Sequence, residues 1–134
     1  MSVTTDTAYG MKKTVALGYD EAVEKVRGAL KDQGFGILTE IDIKEKMKEK
    51  LGVDFQRYII LGACNPPLAH KALLAEPDIG LLLPCNVIVY EHGERESVVA
   101  AADPEAMMQV TGNEILRTVA EDAKARLRKA LANV

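Results

Sequence analysis

Hydrophobic residues alternate with polar ones, or run together, at five places along the chain, and each place predicts a β-strand. Alternation is typical of a half-buried strand, since successive side chains point to opposite faces of a sheet. A nearly continuous apolar run, such as residues 55–64, indicates a central strand. The strands are predicted at residues 11–18, 35–41, 55–64, 80–91 and 96–102.

Apolar residues spaced three and four apart predict helices between the strands. The first three helices are expected over residues 20–33, 42–51 and 67–75. Gly34 and Gly52 follow the first two, and glycine most easily adopts the left-handed backbone at the C-terminal end of a helix. Their positions therefore define where these two helices end.

Polar residues mark two of the helix starts. Asp42, followed three residues later by Glu45, resembles a capping box. Asn65 is a good N-cap residue, and the two prolines after it are tolerated in a first helical turn.

The C-terminal third predicts two more helical segments. Asp103 before Pro104 is a strong helix start, and Gly112 breaks that helix. Thr111 and Glu114 then offer a capping box for the last helix. Its buried face is predicted from seven apolar residues: Leu116, Val119, Ala120, Ala123, Leu127, Ala130 and Leu131.

The order of elements, β-α-β-α-β-α-β-β-α, favours an α+β fold. The helices are too few and too short for a doubly wound parallel sheet, so we expect a mainly antiparallel sheet with two long helices on one face. Pro84 falls inside the fourth strand. Because proline cannot donate a hydrogen bond to a sheet, a bulge or an edge position is expected there.

Composition narrows the classes of function. The 134 residues fit one domain, with residues 1–10 as a polar lead-in that lacks the pattern of a signal peptide. A net charge of -3 argues against nucleic-acid binding, and no apolar stretch is long enough for a membrane span. Two cysteines without an export signal indicate a cytoplasmic protein with free thiols.

The strongest candidate chemistry is at Cys64-Asn65-Pro66, where a strand meets the start of a helix. Unpaired backbone N–H groups and the positive end of the helix dipole gather at such places, so the pKa of the Cys64 thiol is expected to fall. Asn65 is then a candidate donor to the sulfur or to a bound anion. The alternative is that Cys64 is a small buried side chain and Asn65 only a cap.

A second Cys-Asn pair follows in Pro84-Cys85-Asn86. If the strands that carry the two pairs are antiparallel neighbours, Cys64 and Cys85 lie close together. His70, about one helical turn after the helix start, completes a candidate ligand set for Zn or Cu(I). The alternative for His70 is an ordinary surface residue.

Two further candidates have simpler explanations. Glu40 and Asp42 lie two residues apart on one strand face, but general acid–base work needs a desolvated cleft. Met107 and Met108 are candidates for a pocket or a partner surface, with core packing as the alternative. The sequence contains no dinucleotide, phosphate-loop, serine-hydrolase or zinc-protease motif.

Four segments resemble a known family: residues 34–42, 61–66, 76–81 and 83–87, with the sequences GFGILTEID, LGACNP, EPDIGL and LPCNV. Together they closely resemble the bacterial and archaeal family called domain of unknown function 302, over residues 11–132. The resemblance implies a β-α-β(4)-α fold similar to the TATA-binding-protein-like class, and pairing as homodimers. It implies no activity, because none is established for the family.

Two hypotheses for function follow. The first is a dimeric, thiol-based sulfur-handling or soft-metal-binding protein in which Cys64 and Cys85 act together and Asn65 and Asn86 orient the bound group. The second is a non-catalytic module that binds a small molecule or assembles with a partner. In that case the Cys-Asn segments are structural or form a dimer interface.

Overall fold

Six antiparallel strands form one sheet in the computed structural model, which describes residues 3–134. The strands are β1 (Thr5–Asp6), β2 (Gly10–Val15), β3 (Gly36–Asp42), β4 (Tyr58–Cys64), β5 (Cys85–Glu91) and β6 (Ser97–Ala102). Their order across the sheet is β1-β2-β6-β5-β4-β3, so β2 and β6 pair although they are distant in the chain. The predicted α+β fold with an antiparallel sheet is confirmed.

Within residues 3–134, five α-helices and one 3₁₀ helix accompany the sheet. They are α1 (Tyr19–Asp32), α2 (Ile43–Leu51), α3 (Pro66–Ala75), the 3₁₀ helix (Pro77–Leu82), α4 (Pro104–Gln109) and α5 (Leu116–Ala132). Among the helices of residues 3–134, none is long and apolar enough to cross a membrane.

The main core lies between the sheet and the two long helices, α1 and α5. Strand residues Leu61, Val89 and Val99 pack there against Leu30 of α1 and Leu127 of α5. Each of these side chains is almost completely buried, and burial of such a side chain contributes about 1.5–3 kcal/mol. The predicted apolar face of the last helix is confirmed, because all seven of its residues are buried.

The opposite face of the sheet carries the alternate residues of the same strands. Ile60, Ile88 and Ala100 are paired side by side across β4, β5 and β6. They are partly exposed, whereas their neighbours Leu61, Val87 and Ala101 are buried. We call this the open face, because the long helices pack on the other side.

Several predicted helix ends are confirmed. The Asp42 side chain accepts a hydrogen bond from the Glu45 backbone N–H at 3.0 Å. Asp103 accepts from the backbone N–H groups of the two residues after Pro104, at 2.9 and 3.3 Å. Gly34 and Gly52 have φ angles of 84° and 67°, in the left-handed region that favours glycine.

The fourth strand is shorter than predicted: the first three residues of the predicted range 80–91 are helical. Residues 77–82 form the 3₁₀ helix, with a hydrogen bond from the Ile79 N–H to the Glu76 carbonyl. The strand begins only at Cys85, after Pro84, because proline has no N–H to donate to the sheet. The expected bulge or edge position at Pro84 is wrong, because Pro84 precedes β5 and β5 lies inside the sheet, between β4 and β6. The register shift lies in β3 instead, between Ile37 and Thr39.

Two other expectations are corrected. Thr111 and Glu114 do not form a capping box: the Thr111 hydroxyl accepts from the Asn113 N–H, and α5 begins at Leu116 without a side-chain cap. The polar lead-in contains a short strand, β1, which pairs with β2. Residues 1 and 2 of the lead-in lie outside the described part of the chain.

Candidate functional site

The two Cys-Asn pairs meet where β4 and β5 run antiparallel. Ala63 lies opposite Cys85 in the register, and Cys64 follows at the end of β4. Both cysteines line one small cavity beneath α3, together with Asn65 and Pro84. The prediction that these two strands are antiparallel neighbours is confirmed. We call the cluster of Cys64, Asn65, Pro84 and Cys85 the Cys–Asn junction.

Asn65 ties three elements together in this junction. Its side-chain oxygen accepts from the Leu68 N–H at 3.4 Å, which caps α3 as predicted. Its Nδ2 donates to the Gln33 carbonyl at 3.5 Å, at the C-terminal end of α1. Asn65 is buried. Both of its polar atoms thus serve the fold.

The start of α3 has no spare hydrogen-bond donors. Pro66 and Pro67 occupy its first two positions and have no N–H. The next two N–H groups, of Leu68 and Ala69, already donate to the side chain and the carbonyl of Asn65. Backbone donors for a thiolate or an anion are therefore missing at this helix start.

The thiols are shifted away from the thiolate form. Burial raises the pKa of the Cys64 thiol. Burial, with a smaller contribution from Cys64, raises the pKa of Cys85 to about 11. The expected fall of the Cys64 pKa is wrong, because desolvation opposes the charged form and no backbone donor compensates. Both cysteines are free, and their raised pKa values favour the protonated thiol at neutral pH.

The cavity between the cysteines is small and apolar. Its volume is about 30 Å³, and its walls include Phe35, Leu68, Leu83 and Met108. Such a volume is comparable to that occupied by a single water molecule. The junction is thus close-packed and has no room for an organic ligand.

Gly62 shows how closely the junction is packed. A Cβ atom at this position would lie 2.2 Å from the Thr39 Oγ1 and 2.8 Å from the Pro84 Cγ. Both distances are far shorter than van der Waals contact, so only glycine allows these two side chains to cover the strand here. The structural role of Gly62 was not predicted from the sequence.

His70 is not part of the junction. α3 buries Leu68 and Ala72, and His70 lies midway between them in sequence, roughly 200° around the helix from each. It is exposed to solvent. Across residues 3–134, no three His, Cys, Asp or Glu side chains come close enough to hold a metal ion. The structure does not assemble the predicted ligand set of Cys64, His70 and Cys85.

The remaining sequence candidates have structural partners. Glu40 forms an ion pair with Arg27, whose hydrogen bond lowers the pKa of that carboxyl group. Asp42 caps α2. Met108 is buried in a second core under α3, whereas Met107 lies at a groove on the open face.

That groove is a large concave surface that involves two sequence candidates, Met107 and Asn86. It has a volume of about 520 Å³ and crosses the open face from β2 to β4. Asn86 lines it, because successive strand residues alternate and Asn86 therefore faces away from Cys85. The second Cys-Asn pair is thus divided between the two faces of the sheet. We call this surface the sheet groove.

The sheet groove has a flat floor and aromatic walls. Ala100 and Ala102 of β6 form the floor, since β6 lies between β2 and β5. Tyr9, Tyr58 and Tyr90 stand around it. The rings of Tyr58 and Tyr90 stack with centroids 5.3 Å apart and planes 6° from parallel. The sequence signal for this surface was the apolar character of both alternating sets of residues in β4 to β6.

Comparison with known proteins decides the family. The family model described as domain of unknown function DUF302 matches residues 11–134. The chain belongs to this family. A crystal structure of an uncharacterised conserved DUF302 protein from Bacillus stearothermophilus is similar, with a TM-score of 0.86 and 29% identity. The match covers 95% of this chain and 98% of that one. No curated protein matches the sequence.

The DUF302 segments that carried the resemblance converge in the fold. Gly62 and Asn65 come from one segment, Pro84 and Cys85 from another, and Gly34 from a third. A Cβ at Gly34 would lie 3.0 Å from the Asn65 Nδ2, so this glycine leaves room for the asparagine. The motifs therefore describe one packed junction in the structure.

Proposed function

We propose that this DUF302 protein is a non-catalytic binding protein that holds a small molecule in the sheet groove. The observation that carries the proposal is the position of the tyrosines: three of the four in the chain surround this one groove. Tyrosine is enriched at binding surfaces, because it combines a large rigid ring with a polar end. In a chain with 4% aromatic residues, such a cluster favours recognition.

The size and shape of the groove support the same function. Its volume of about 520 Å³ lies within the range of roughly 300–1,000 Å³ that is typical of small-molecule sites. The floor is low because Ala100 and Ala102 are small, while Ile88 and Tyr90 on the neighbouring strand are large. A ligand on this floor has walls on both sides.

The Cys–Asn junction is better suited to a structural role in this proposal. Its thiols have raised pKa values, its helix start has no free donors, and its cavity holds about 30 Å³. A nucleophilic cysteine needs the opposite conditions: a lowered pKa and access for the substrate. The junction instead fixes β5 beside β4, and Asn86 extends from that strand into the sheet groove.

Replacement of Ala100 by Trp tests the proposal. The indole ring would fill the floor of the groove without entering the core, so the fold is expected to persist. Amide chemical shifts can be followed by NMR during titration with 2-naphthol as a probe. We expect shifts confined to the groove, on β2, β4, β5 and β6, in the unaltered protein, and their loss in Ala100→Trp.

The matched control is Leu81→Trp, since Leu81 is 89% exposed on the 3₁₀ helix, outside the groove. It should bind the probe normally. Probe-induced shifts at the junction instead of the groove, or binding that survives in Ala100→Trp, would contradict the proposal. A dimer that dissociates in Ala100→Trp would also contradict it, because a second copy would then occupy the groove.

A second candidate function is self-assembly, and the surface of β3 and α2 favours it. None of residues 36–51 is buried, although they form a strand and a helix. A nine-residue helix gains little stability without packing. The surface exposes five large apolar residues: Leu38, Ile41, Leu51, Val53 and Phe55. We call these five residues the edge surface.

The occupant we propose for the edge surface is a second copy of the chain. Acidic and basic residues are interspersed along α2: Asp42, Glu45 and Glu49 stand among Lys44, Lys46, Lys48 and Lys50. Two copies related by a two-fold axis would place the α2 helices antiparallel. Lysines of one copy would then lie beside glutamates of the other, around the apolar residues that both copies expose.

Sedimentation equilibrium of Leu51→Glu tests this dimer. Leu51 is 70% exposed, so the substitution costs little in a monomer but places a charge in the proposed interface. We expect a dimer for the unaltered chain and a monomer for Leu51→Glu, with Leu81→Glu still dimeric. A monomeric unaltered chain at 100 µM would refute the proposal.

A further inference from the structure

We infer that the ligand of the sheet groove is a planar aromatic anion, held by Lys12 on one wall and Asn86 on the other. This inference rests on the proposed binding function and specifies its ligand class. Three features of the groove support this ligand class: the charge of the lining, the free polar groups and the flatness of the floor.

Charge is the first feature. Among the described residues that line the groove, Lys12 is the only charged one, so no carboxylate lines the groove to neutralise it. The chain as a whole has a net charge of -3, so the charge of this lining is opposite in sign to that of the whole protein. The lining therefore favours an anionic ligand.

A free amide is the second feature. Asn86 is exposed at the groove, and in the described part of the chain its side chain has no hydrogen-bond partner of its own. Asn65, in contrast, uses both polar atoms within the fold. An amide NH₂ has two donors, which suit a carboxylate or sulfonate oxygen. Asn86 is therefore available for a ligand.

The geometry of the floor is the third feature. Lys12 lies directly opposite Ala100 in the sheet register, and Ala100 lies opposite Ile88 on the other side. The walls on β2 and β5 are two strand spacings apart, roughly 9–10 Å. The alanines between them leave a flat slot, and the stacked rings of Tyr58 and Tyr90 border it. A flat aromatic ligand makes the largest contact with such a slot.

Three probes distinguish the ligand class by isothermal titration calorimetry. 2-Naphthoate is planar and anionic, 2-naphthol is planar and neutral, and decanoate is anionic and flexible. We expect 2-naphthoate to bind about tenfold more tightly than either of the others, since a charge-assisted hydrogen bond is worth about one power of ten in affinity.

Two variants and one control variant test whether Lys12 and Asn86 contact the ligand. Lys12→Gln should lower the affinity for 2-naphthoate to that for 2-naphthol, and Asn86→Asp should weaken 2-naphthoate while 2-naphthol binds as before. Lys25→Gln makes the same change of charge on α1, outside the groove, and should have no effect.

The outcomes separate the inference from the proposed function. Binding of 2-naphthol at least as tight as that of 2-naphthoate overturns the anionic ligand and leaves the groove as a binding site. Equal binding of decanoate overturns the planar ligand. If none of the three probes binds and the amides of the groove do not shift, both the inference and the proposed function fail.

Discussion

Gly62 is the residue that the packing of the junction restricts most. Thr39 and Pro84 approach its Cα from two sides, and any Cβ would overlap both of them. The proline ring cannot rotate away, and the threonine is branched at Cβ and has few rotamers. A side chain at this position would therefore lower the free energy of unfolding by overpacking the site.

Replacement of Gly62 by Ala is expected to destabilise the fold by about 1–3 kcal/mol, the range typical of overpacked sites. The midpoint of urea unfolding measures this change. Gly28→Ala is the matched control: a Cβ at Gly28 meets no atom within 4 Å, and Gly28 lies inside α1. That control should instead stabilise the protein by about 0.5–1 kcal/mol. Equal midpoints for Gly62→Ala and the unaltered chain would contradict the packing argument.

The two thiols give a second prediction at the scale of single residues. Burial raises the pKa of Cys85 to about 11, and the thiolate is the reactive form. Alkylation by iodoacetamide in the native state should therefore be slow at pH 7 and should accelerate as the pH rises toward 11. Cys64→Ser isolates the rate of Cys85, and Cys85→Ser isolates that of Cys64.

A rate that reaches its plateau below pH 7 would show a stabilised thiolate. It would contradict the structural role of the junction and favour the thiol-based hypothesis instead. The same experiment thus decides between the two hypotheses that the sequence left open.

At the scale of elements, the helix starts differ in what they offer to a ligand. α3 begins with two prolines behind a capping asparagine, so its first four backbone positions hold no free donor. α4 begins at Pro104, and its N-cap residue Asp103 accepts hydrogen bonds from two backbone N–H groups and pairs with the Lys124 Nζ at 2.9 Å. This cap links α4 to α5, and both side chains are mostly buried.

The Asp103 cap predicts how stability depends on pH. Burial opposes ionisation, but the hydrogen bonds from Lys124 and from two backbone N–H groups outweigh it and lower the pKa of Asp103. A carboxyl group whose pKa is lower in the folded state stabilises the fold above its unfolded pKa, here 3.8. That contribution is lost as the pH falls from this value through the folded pKa.

Replacement of Asp103 by Asn should cost about 1–3 kcal/mol at pH 7, because Lys124 loses its partner while the cap can persist. At a pH below the folded pKa the two proteins should have similar stabilities. Urea unfolding of both at a series of pH values measures the difference. A difference that is independent of pH would contradict the role of the ion pair.

At the scale of the whole molecule, the sheet groove and the edge surface use different residues but adjoin at one place. The groove crosses β2, β6, β5 and β4, whereas the edge surface belongs to β3, α2 and the segment after α2. They adjoin where the ring of Phe55 lies 6.4 Å from the ring of Tyr58. Leu51, at the C-terminal end of α2, does not line the groove. We expect Leu51→Glu to abolish the dimer and to leave the affinity for 2-naphthoate within about twofold of the unaltered value, since distant sites act independently. A larger change, measured by calorimetry, would show that the surfaces are coupled.

Much of the fold follows from local patterns. The caps at Asp42, Asn65 and Asp103 and the left-handed glycines after α1 and α2 depend on residues a few positions apart, so the sequence predicts them. The predicted start of β5, at residue 80, was wrong because apolar residues before a proline suit a 3₁₀ helix as well as a strand. The two prolines after Asn65 have no N–H, so the sequence already indicated that this helix start lacks backbone donors. The expected fall of the Cys64 pKa did not take this into account.

The sequence by itself determined the α+β class, the ends of the first two helices, the caps at Asp42, Asn65 and Asp103, and the resemblance to the family. It predicted the meeting of the two Cys-Asn segments on the condition that their strands are antiparallel neighbours. Each of these depends on residues close together in the chain or on pairing between consecutive strands. Only the tertiary structure decided that the junction is closed and that Asn86 faces the other side of the sheet. It also placed Tyr9, Tyr58 and Tyr90 around one groove. The physical reason is that burial, pKa and concave shape depend on neighbours in space. The pairing of β2 with β6, for example, brings together residues 82 to 92 positions apart.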